Sequence, residues 1–378
     1  MRVVDLFAGC GGMSAGFQAA DYEIVLAAEK WSEARNVYDL NFDHRSTDLD
    51  LSDLLEAVPR VMNERPDVIV GGPPCQEFST AGTRREAEKA DLTRNFAEIV
   101  NACRPTWFVM ENVPAAKSSN AYAFAYGLLK SAGYGLTECV LDASRHGVPQ
   151  LRKRLFLIGR QEEEDNFLLN DLQEDEASES LTVRQYLGDE LGVEHYYRHP
   201  RHWGRKAIYS IDEPAATLRS ANRPIPPKYT SHPNDAAPIK GVKPLTSRQR
   251  ARLQTFETSF LFEGSQSDID LMVANAVPVQ LARHIGETIA RMEEMRGMSQ
   301  SETEFREWLE HRYQTRTAGN HVCRFKRAQK FLSGRAFDDP RDAVHEMTKN
   351  PEFSRLSPSV KSHLKQAVKL HFEFLGLR

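Results

Sequence analysis

Short apolar runs of strand length recur through the first 160 residues, separated by stretches whose apolar positions fall at helical spacing. The runs occupy residues 3–7, 23–28, 68–70, 107–113 and 155–159; helical patterns follow residue 12 and cover 49–55 and 121–131. Strands alternating with helices in this way predict a doubly wound α/β domain. The run at 68–70 stops at Gly71-Gly72-Pro73-Pro74, where the prolines restrict φ and remove backbone donors. That stiff turn presents Cys75 at the carboxyl end of a buried strand, the edge where open α/β sheets hold their ligands. Residues 77–95 are polar and are expected as a lid beside Cys75 or as a plain surface loop. A helix is predicted over 278–294. The stretch 301–378 also reads as helical, with apolar stripes at Phe305, Trp308 and Leu309 and at Leu364, Val368, Leu370, Phe372 and Phe374.

The character of the chain changes at the acidic segment 161–180 and again at 195–230, which interleaves His, Arg, Tyr and Trp. Basic and aromatic side chains together suit phosphates and unstacked bases; a His-rich metal site is the rival reading, without clean ligand spacing. At 40% hydrophobic and 27% charged, the 378 residues have an ordinary soluble composition. No run approaches the roughly 18 apolar residues of a membrane helix. The apolar strand that begins at residue 3 leaves no space for a secretion signal. Five cysteines (Cys10, Cys75, Cys103, Cys139 and Cys323) without CxxC spacing predict reduced thiols in the cytoplasm rather than a disulfide frame or zinc site. The net charge of −4 is unevenly spread: residues 301–378 carry 15 Lys+Arg against 10 Asp+Glu, a net of +5, which leaves −9 for residues 1–300. A basic C-terminal region suits a nucleic-acid contact or a solvated helical surface.

Candidate chemistry gathers where the predicted strands end. Gly9, Gly11 and Gly12 let the backbone approach a ligand at the start of a helix. The turn has neither GxGxxG spacing nor the Lys-Ser/Thr of a phosphate loop. Glu29 ends the second strand, where a carboxylate accepts hydrogen bonds from ribose hydroxyls, and Asp48 follows at a similar interval. Glu111 lies at the end of the run that begins at Trp107. Cys75 is a nucleophile where its pKa is lowered and a small buried hydrophobe otherwise.

In order, the stretches are DLFAGCGGMSAGF (5–17), GGPPCQEFS (71–79), MENVP (110–114), HGVPQLRKRLFLIG (146–159), EPAATLR (213–219), LTSRQRARLQTF (245–256) and ANAVP (274–278). Over residues 1–294 this set resembles the C5-cytosine DNA methyltransferase family of prokaryotic restriction–modification systems. The resemblance implies a Rossmann-like S-adenosylmethionine-dependent methyltransferase domain (1–160 plus 271–296). It further implies a small irregular target-recognition domain (161–270) and a C-terminal helical region (297–378). The implied reaction moves a methyl group from S-adenosylmethionine to C5 of a cytosine flipped out of double-stranded DNA, through a covalent Cys75–C6 adduct. The enzyme would be cytoplasmic and nucleoid-associated, hold no metal, and share its site with a cognate restriction endonuclease. A transfer-RNA cytosine methyltransferase would share the same catalytic residues.

Residue by residue, Cys75 matches the nucleophile, Glu111 the acid at N3 and the exocyclic amine, and Arg154 the residue that contacts O2. Arg152 matches a brace of the loop and thiolate region. Phe7, Ala8, Gly9, Gly11, Gly12, Glu29, Asp48, Pro74 and Asn275 match positions around the cofactor, and Gln76, Ser79 and Thr217 positions that meet the substrate. Ala274 stands where the family usually has Gly, a change that costs little unless φ is positive there. Either Lys30 or Trp31 covers the adenine. Residues 301–378, with Phe305, Trp308, Arg327, Lys330 and Lys365, resemble the small helical DNA-binding domains of tyrosine recombinases; a packing or dimer-contact appendage is the alternative.

Overall fold

The computed structural model describes residues 1–74, 83–174, 177–200, 204–296, 300–332, 337–356 and 358–377; Cys75, Gln76 and Ser79 lie outside them. The chain forms two compact units, Met1–Glu287 and Thr288–Arg378.

The strands of the first unit begin with β1 (Arg2–Leu6), β2 (Glu23–Ala28), β3 (Ser46–Thr47) and β4 (Val68–Gly71). They continue with β5 (Trp107–Asn112), β6 (Tyr134–Asp142), β7 (Gln150–Leu151) and β8 (Lys153–Gln161). Seven of them make one sheet in the order β3-β2-β1-β4-β5-β8-β6. All its pairs are parallel except those of β8, which runs against both neighbours. This is the α/β methyltransferase-type sheet that the sequence implies. β4 and β5 are buried at every position, which is why they read as unbroken apolar runs.

Between the strands lie α1 (Gly12–Ala19), α2 (Ser32–Asp39), α3 (Leu54–Asn63), α4 (Thr83–Cys103) and α5 (Asn120–Ser131). Two sequence expectations change here. Most of the stretch 77–95 is helical rather than a plain loop, because α4 already begins at Thr83. Its Arg, Glu, Ala and Lys residues are good helix formers, and the helix is anchored further on by buried Phe96, Ile99 and Val100. Strand β6 is the second change. Gly133 and Gly135 look in sequence like the end of α5, and Gly133 follows it at φ +86°. Gly135 instead sits inside β6, where a Cβ would come within 2.3 Å of the Glu163 carbonyl oxygen.

The chain goes on through α6 (Leu169–Glu174), α7 (Val183–Leu187), β9 (His195–Tyr197), β10 (Ile208–Ser210) and β11 (Ala215–Ala216). Then follow β12 (Lys243–Pro244), α8 (Ser247–Leu253), α9 (Gln266–Asn275) and α10 (Val279–Arg296). These are short pieces in largely irregular chain, tied down by a small sheet β10-β9-β12 and by pairing of β11 with β7. Reciprocal capping boxes, Thr182 with Gln185 and Thr246 with Gln249, start α7 and α8. Buried Val183, Leu187, Leu218 and Phe256 share one apolar cluster with Cys10, Ala34 and Val37, so this region packs as part of the first unit.

The second unit has its own core. Helices α11 (Gln300–Glu310), α12 (Thr315–Gln329), α13 (Pro340–Lys349), α14 (Pro351–Arg355) and α15 (Pro358–Phe374) bury Phe305, Leu309, Val322, Phe325, Phe353 and Val368 together. Among the described residues no helix is long and apolar enough to cross a membrane.

Candidate active site

The strand order reverses between β1 and β4, and the connections leaving those strands diverge there to opposite sides of the sheet. A cavity of about 660 Å³ opens at the carboxyl ends of these strands. Its wall comes from the turn after β1, the end of β2, residues 72–74 after β4, the end of β5, the start of β8, and residues 272–277 at the end of α9.

One side of this wall is the glycine turn. Phe7 adopts φ +63°, an uncommon conformation for an aromatic residue, and Gly9 follows at +56°. Phe7, Ala8, Gly9 and Gly12 line the cavity. Gly11 does not: it is the left-handed N-cap of α1, and a Cβ there would meet the Phe42 ring at 2.4 Å. The Glu29 carboxylate lines the cavity and is held by two backbone donors, Gly9 N–H at 2.8 Å and Trp31 N–H at 2.7 Å. Lys30 and Trp31 both reach the wall, with the Lys30 ammonium paired to Asp50. Asp48 is elsewhere: it is exposed and pairs with Arg35 at 3.0 Å, because the chain turns after β3 and carries its side chain outward.

Sequence reasoning missed Asp5. This β1 residue is 1% exposed, lines the cavity, and accepts a hydrogen bond from Ser14 Oγ at 2.6 Å. Tyr38 OH in turn donates to Ser14 Oγ at 2.9 Å. Burial, with a further push from the Glu29 charge, raises the Asp5 carboxyl to about 7. The signal was a lone acid inside an apolar strand, Val3-Val4-Asp5-Leu6.

The other side of the wall is built by the reversed strand. Because β8 runs antiparallel to β5, its first residues lie beside the carboxyl end of β5. Arg154 Nε donates to Glu111 Oε1 at 2.8 Å, and both side chains are almost fully enclosed. Burial pushes the Glu111 carboxyl up, against the opposing pull of the Arg154 and Arg152 charges. Asn112, also missed in sequence, donates from Nδ2 to the Pro73 carbonyl at 3.0 Å and so ties β5 to the turn that leads into Cys75. The four described cysteines are all held as thiols by burial: Cys103 is raised to about 11, and Cys10, Cys139 and Cys323 to about 12.

Arg152 does not line the cavity. It is 1% exposed, and its Nη2 donates to the Ala274 and Ala276 carbonyls at 2.8 and 3.1 Å. Gln254 Nε2 donates to the Val273 and Ala276 carbonyls at 2.6 and 2.9 Å, and Gln150 Nε2 donates to Gln254 Oε1 at 2.8 Å. This buried network fastens the segment that brings Asn275 to the cavity, which Pro74 also lines. Ala274 lies within α9 and outside the positive-φ region, so the missing glycine costs nothing there.

Thr217 is also away from the wall; its Oγ1 donates to the Leu151 carbonyl at 2.5 Å and closes the β7–β11 junction. Nearby, Arg198 Nη2 donates to the Thr217 carbonyl at 2.7 Å and Arg219 donates to the His199 carbonyl. Burial and the charges of Arg223 and Arg219 depress the His199 imidazole, so cations gather around this strand end. Arg201, His202 and Trp203 lie outside the described residues.

A sheet with one reversed strand, a ligand cavity at its switch point, and a buried carboxyl–guanidinium pair in the cavity wall define an α/β group-transfer enzyme. The C-5 cytosine-specific DNA methylase family matches residues 1–291, and the chain belongs to that family. It is 48% identical over 283 residues to the Type II methyltransferase M.HgiDI of Herpetosiphon aurantiacus, which spans 75% of this chain and 92% of the relative. It is 47% identical over 296 residues to the Type II methyltransferase M.HindV of Haemophilus influenzae, covering 78% and 97%. The S. pombe Dnmt2 methyltransferase shares the fold, with a TM-score of 0.58 at 17% identity over 79% of this chain and 99% of that one.

Proposed function

We propose that the chain is the modification enzyme of a Type II restriction–modification system, a site-specific DNA (cytosine-5)-methyltransferase using S-adenosylmethionine. The observation that carries this reading is the Glu111–Arg154 contact in the wall of the cavity that Phe7, Gly9 and Glu29 also line. Relatives nearly half identical to the chain bear the name Type II methyltransferase.

The cavity suits the cofactor. Glu29, fastened by two N–H donors, keeps lone pairs free for a ribose diol. Phe7 and Trp31 offer aromatic faces, and the Glu29 carboxylate sets an anionic group in the wall opposite a cationic ligand. S-adenosylmethionine supplies an electrophilic methyl group on its sulfonium.

The chain's own residues prepare the base. A cytosine is unreachable within the duplex and must be turned out into the cavity. The Cys75 thiolate adds to C6, forming an S–C6 bond and releasing the C5–C6 electron pair into the ring. A proton passes from the Glu111 carboxyl to N3, which removes the charge that develops there. Arg154 orients Glu111 through Nε, is steadied by Nη1 donating to the Lys153 carbonyl at 2.8 Å, and presents Nη2 toward O2. C5 is then nucleophilic; after it has been methylated, loss of the C5 proton, departure of the thiolate from C6 and return of the N3 proton to the Glu111 carboxylate restore the neutral ring. Residues 181–245, with Arg198, Arg219 and Arg223, form the recognition surface, and Asn275 and Pro74 border the cofactor. The enzyme works in the cytoplasm beside an endonuclease of the same specificity.

Bisulfite sequencing of host DNA tests the reading, with the wild-type chain expressed beside Cys75→Ala. Conversion-resistant cytosines in one short motif, absent with the variant, are expected. An unprotected genome with the wild-type chain would sink it.

A further inference from the structure

The second unit separates its charges. Helices α12 and α15, with Lys330 just after α12, carry eight Lys or Arg and one acid, Glu373. The other residues of Thr288–Arg378 carry nine bases and eleven acids. Ion pairing follows the same division. On α11 and α13 the bases are neutralised locally: Arg306 by Glu310 at 2.7 Å, Arg341 by Asp339 at 2.9 Å and Lys349 by Glu346 at 3.0 Å. On the basic pair, Lys326 reaches Glu302 at 3.4 Å, whereas Arg324, Arg327, Lys330, Lys365 and Lys369 have no carboxylate partner among the described residues. Arg327, Lys330 and Lys369 are exposed and the other two half-buried.

The two helices pack directly on each other, His371 of α15 stacking on Phe325 of α12 at 3.7 Å between ring centres. Buried His321 of α12 feels the charges of both Arg324 on its own helix and His363 on α15. Arg324, Arg327 and Lys330 recur at three-residue steps along α12 and its end, and Lys365 and Lys369 one turn apart on α15, on helices about 25 Å long, the span of roughly seven base pairs.

We propose that the α12–α15 face is a duplex-DNA backbone site, through which Arg324, Arg327, Lys330, Lys365 and Lys369 contact phosphates without reading sequence. Uncompensated cations on a rigid helix pair gain most from a polyanion that releases counterions. The first unit belongs to a family that acts on DNA, which favours DNA over an acidic protein as that polyanion. The site is independent of the cavity and of the chemistry assigned to it.

The test uses the full chain with all five residues changed to Gln, and DNA binding followed by fluorescence anisotropy over a salt series. Site-bearing and random duplexes of equal length serve as probes. A control triple, Arg306→Gln with Arg341→Gln and Lys349→Gln, removes cations that are already paired. The five-residue variant should lose at least about tenfold in affinity for both duplexes, and its salt slope should shrink by roughly 0.9 for each phosphate it no longer neutralises. The control should match the wild type, and binding of S-adenosylmethionine with the melting temperature should report that both variants are folded. A wild-type slope in the five-residue variant would overturn the proposal and leave an acidic protein as the partner. An equal loss in the control would overturn it too.

Discussion

In the proposed reaction Glu111 must hold a proton near neutral pH, and two neighbours pull the other way. Burial raises its pKa while Arg154 and Arg152 lower it, and burial wins. Transfer that depends on the protonated form therefore falls as pH rises through that raised pKa. In Arg154→Gln one opposing charge is gone, so the alkaline limb of the rate profile should move to higher pH even as the rate drops. Glu111→Gln should lower kcat by about 10² to 10⁴ while cofactor binding persists. A profile whose alkaline limb stays in place in Arg154→Gln would show that Glu111 does not set it. Asp5 makes a second prediction. It keeps its proton up to about 7 when folded but only to 3.8 in its ordinary state, so between those values the folded chain binds more protons. Stability should fall as pH rises through this window, by at most about 1.4 kcal/mol per pH unit from this group. Asp5→Asn should flatten that slope, as read from urea midpoints at pH 5 and pH 7.5.

Helix α1 shows what an element needs beyond its own propensity. Its Gly16 faces the start of α10, and a Cβ would sit 2.4 Å from the Ala282 Cβ and 2.6 Å from the Val279 carbonyl oxygen. Gly12 is as close to the Val277 carbonyl oxygen, at 2.4 Å. Alanine is the better helix former, yet here it has no room. Gly16→Ala should destabilise the first unit by about 1–3 kcal/mol, as overpacking does. Because α1 follows the glycine turn directly, cofactor affinity should fall as well, measurable by calorimetry. A variant as stable as the wild type would mean that α1 can shift freely. The same logic explains β6, whose Gly135 looks like a helix terminator until the chain at 163–164 crosses it.

At the scale of the molecule, among the described residues Phe305 through Phe372 form one apolar core within the second unit, and the sheet and its helices form others within the first. Scanning calorimetry should therefore resolve two transitions. S-adenosylmethionine at 100 times its Kd should stabilise the one belonging to Met1–Glu287 by about 2.7 kcal/mol and leave the other in place. A single transition that moves as a whole would contradict separate cores. The charge division, +5 over 301–378 against −9 before it, was already plain in composition; which helices carry the unpaired cations was not.

Much of the catalytic unit was legible in the sequence, because its information is local. Buried parallel strands write themselves as apolar runs, and Gly-Gly-Pro-Pro imposes its own turn. Motifs in a set order bring Phe7, Glu29, Glu111, Arg154 and Asn275 to mind together, and all five line or border one cavity. What only the tertiary structure decided depends on segments distant in the chain. The reversed direction of β8 sets Arg154 against Glu111. Arg152, read as a brace for the thiolate region, donates from Nη2 to the carbonyls of 274 and 276, which lie 122 and 124 residues away. Asp48 turns outward to Arg35, while Asp5, unremarked in its strand, lines the cavity. A side chain's type is set by its codon, but its partner is set by the backbone that happens to cross it, and that crossing appears only when the chain is folded.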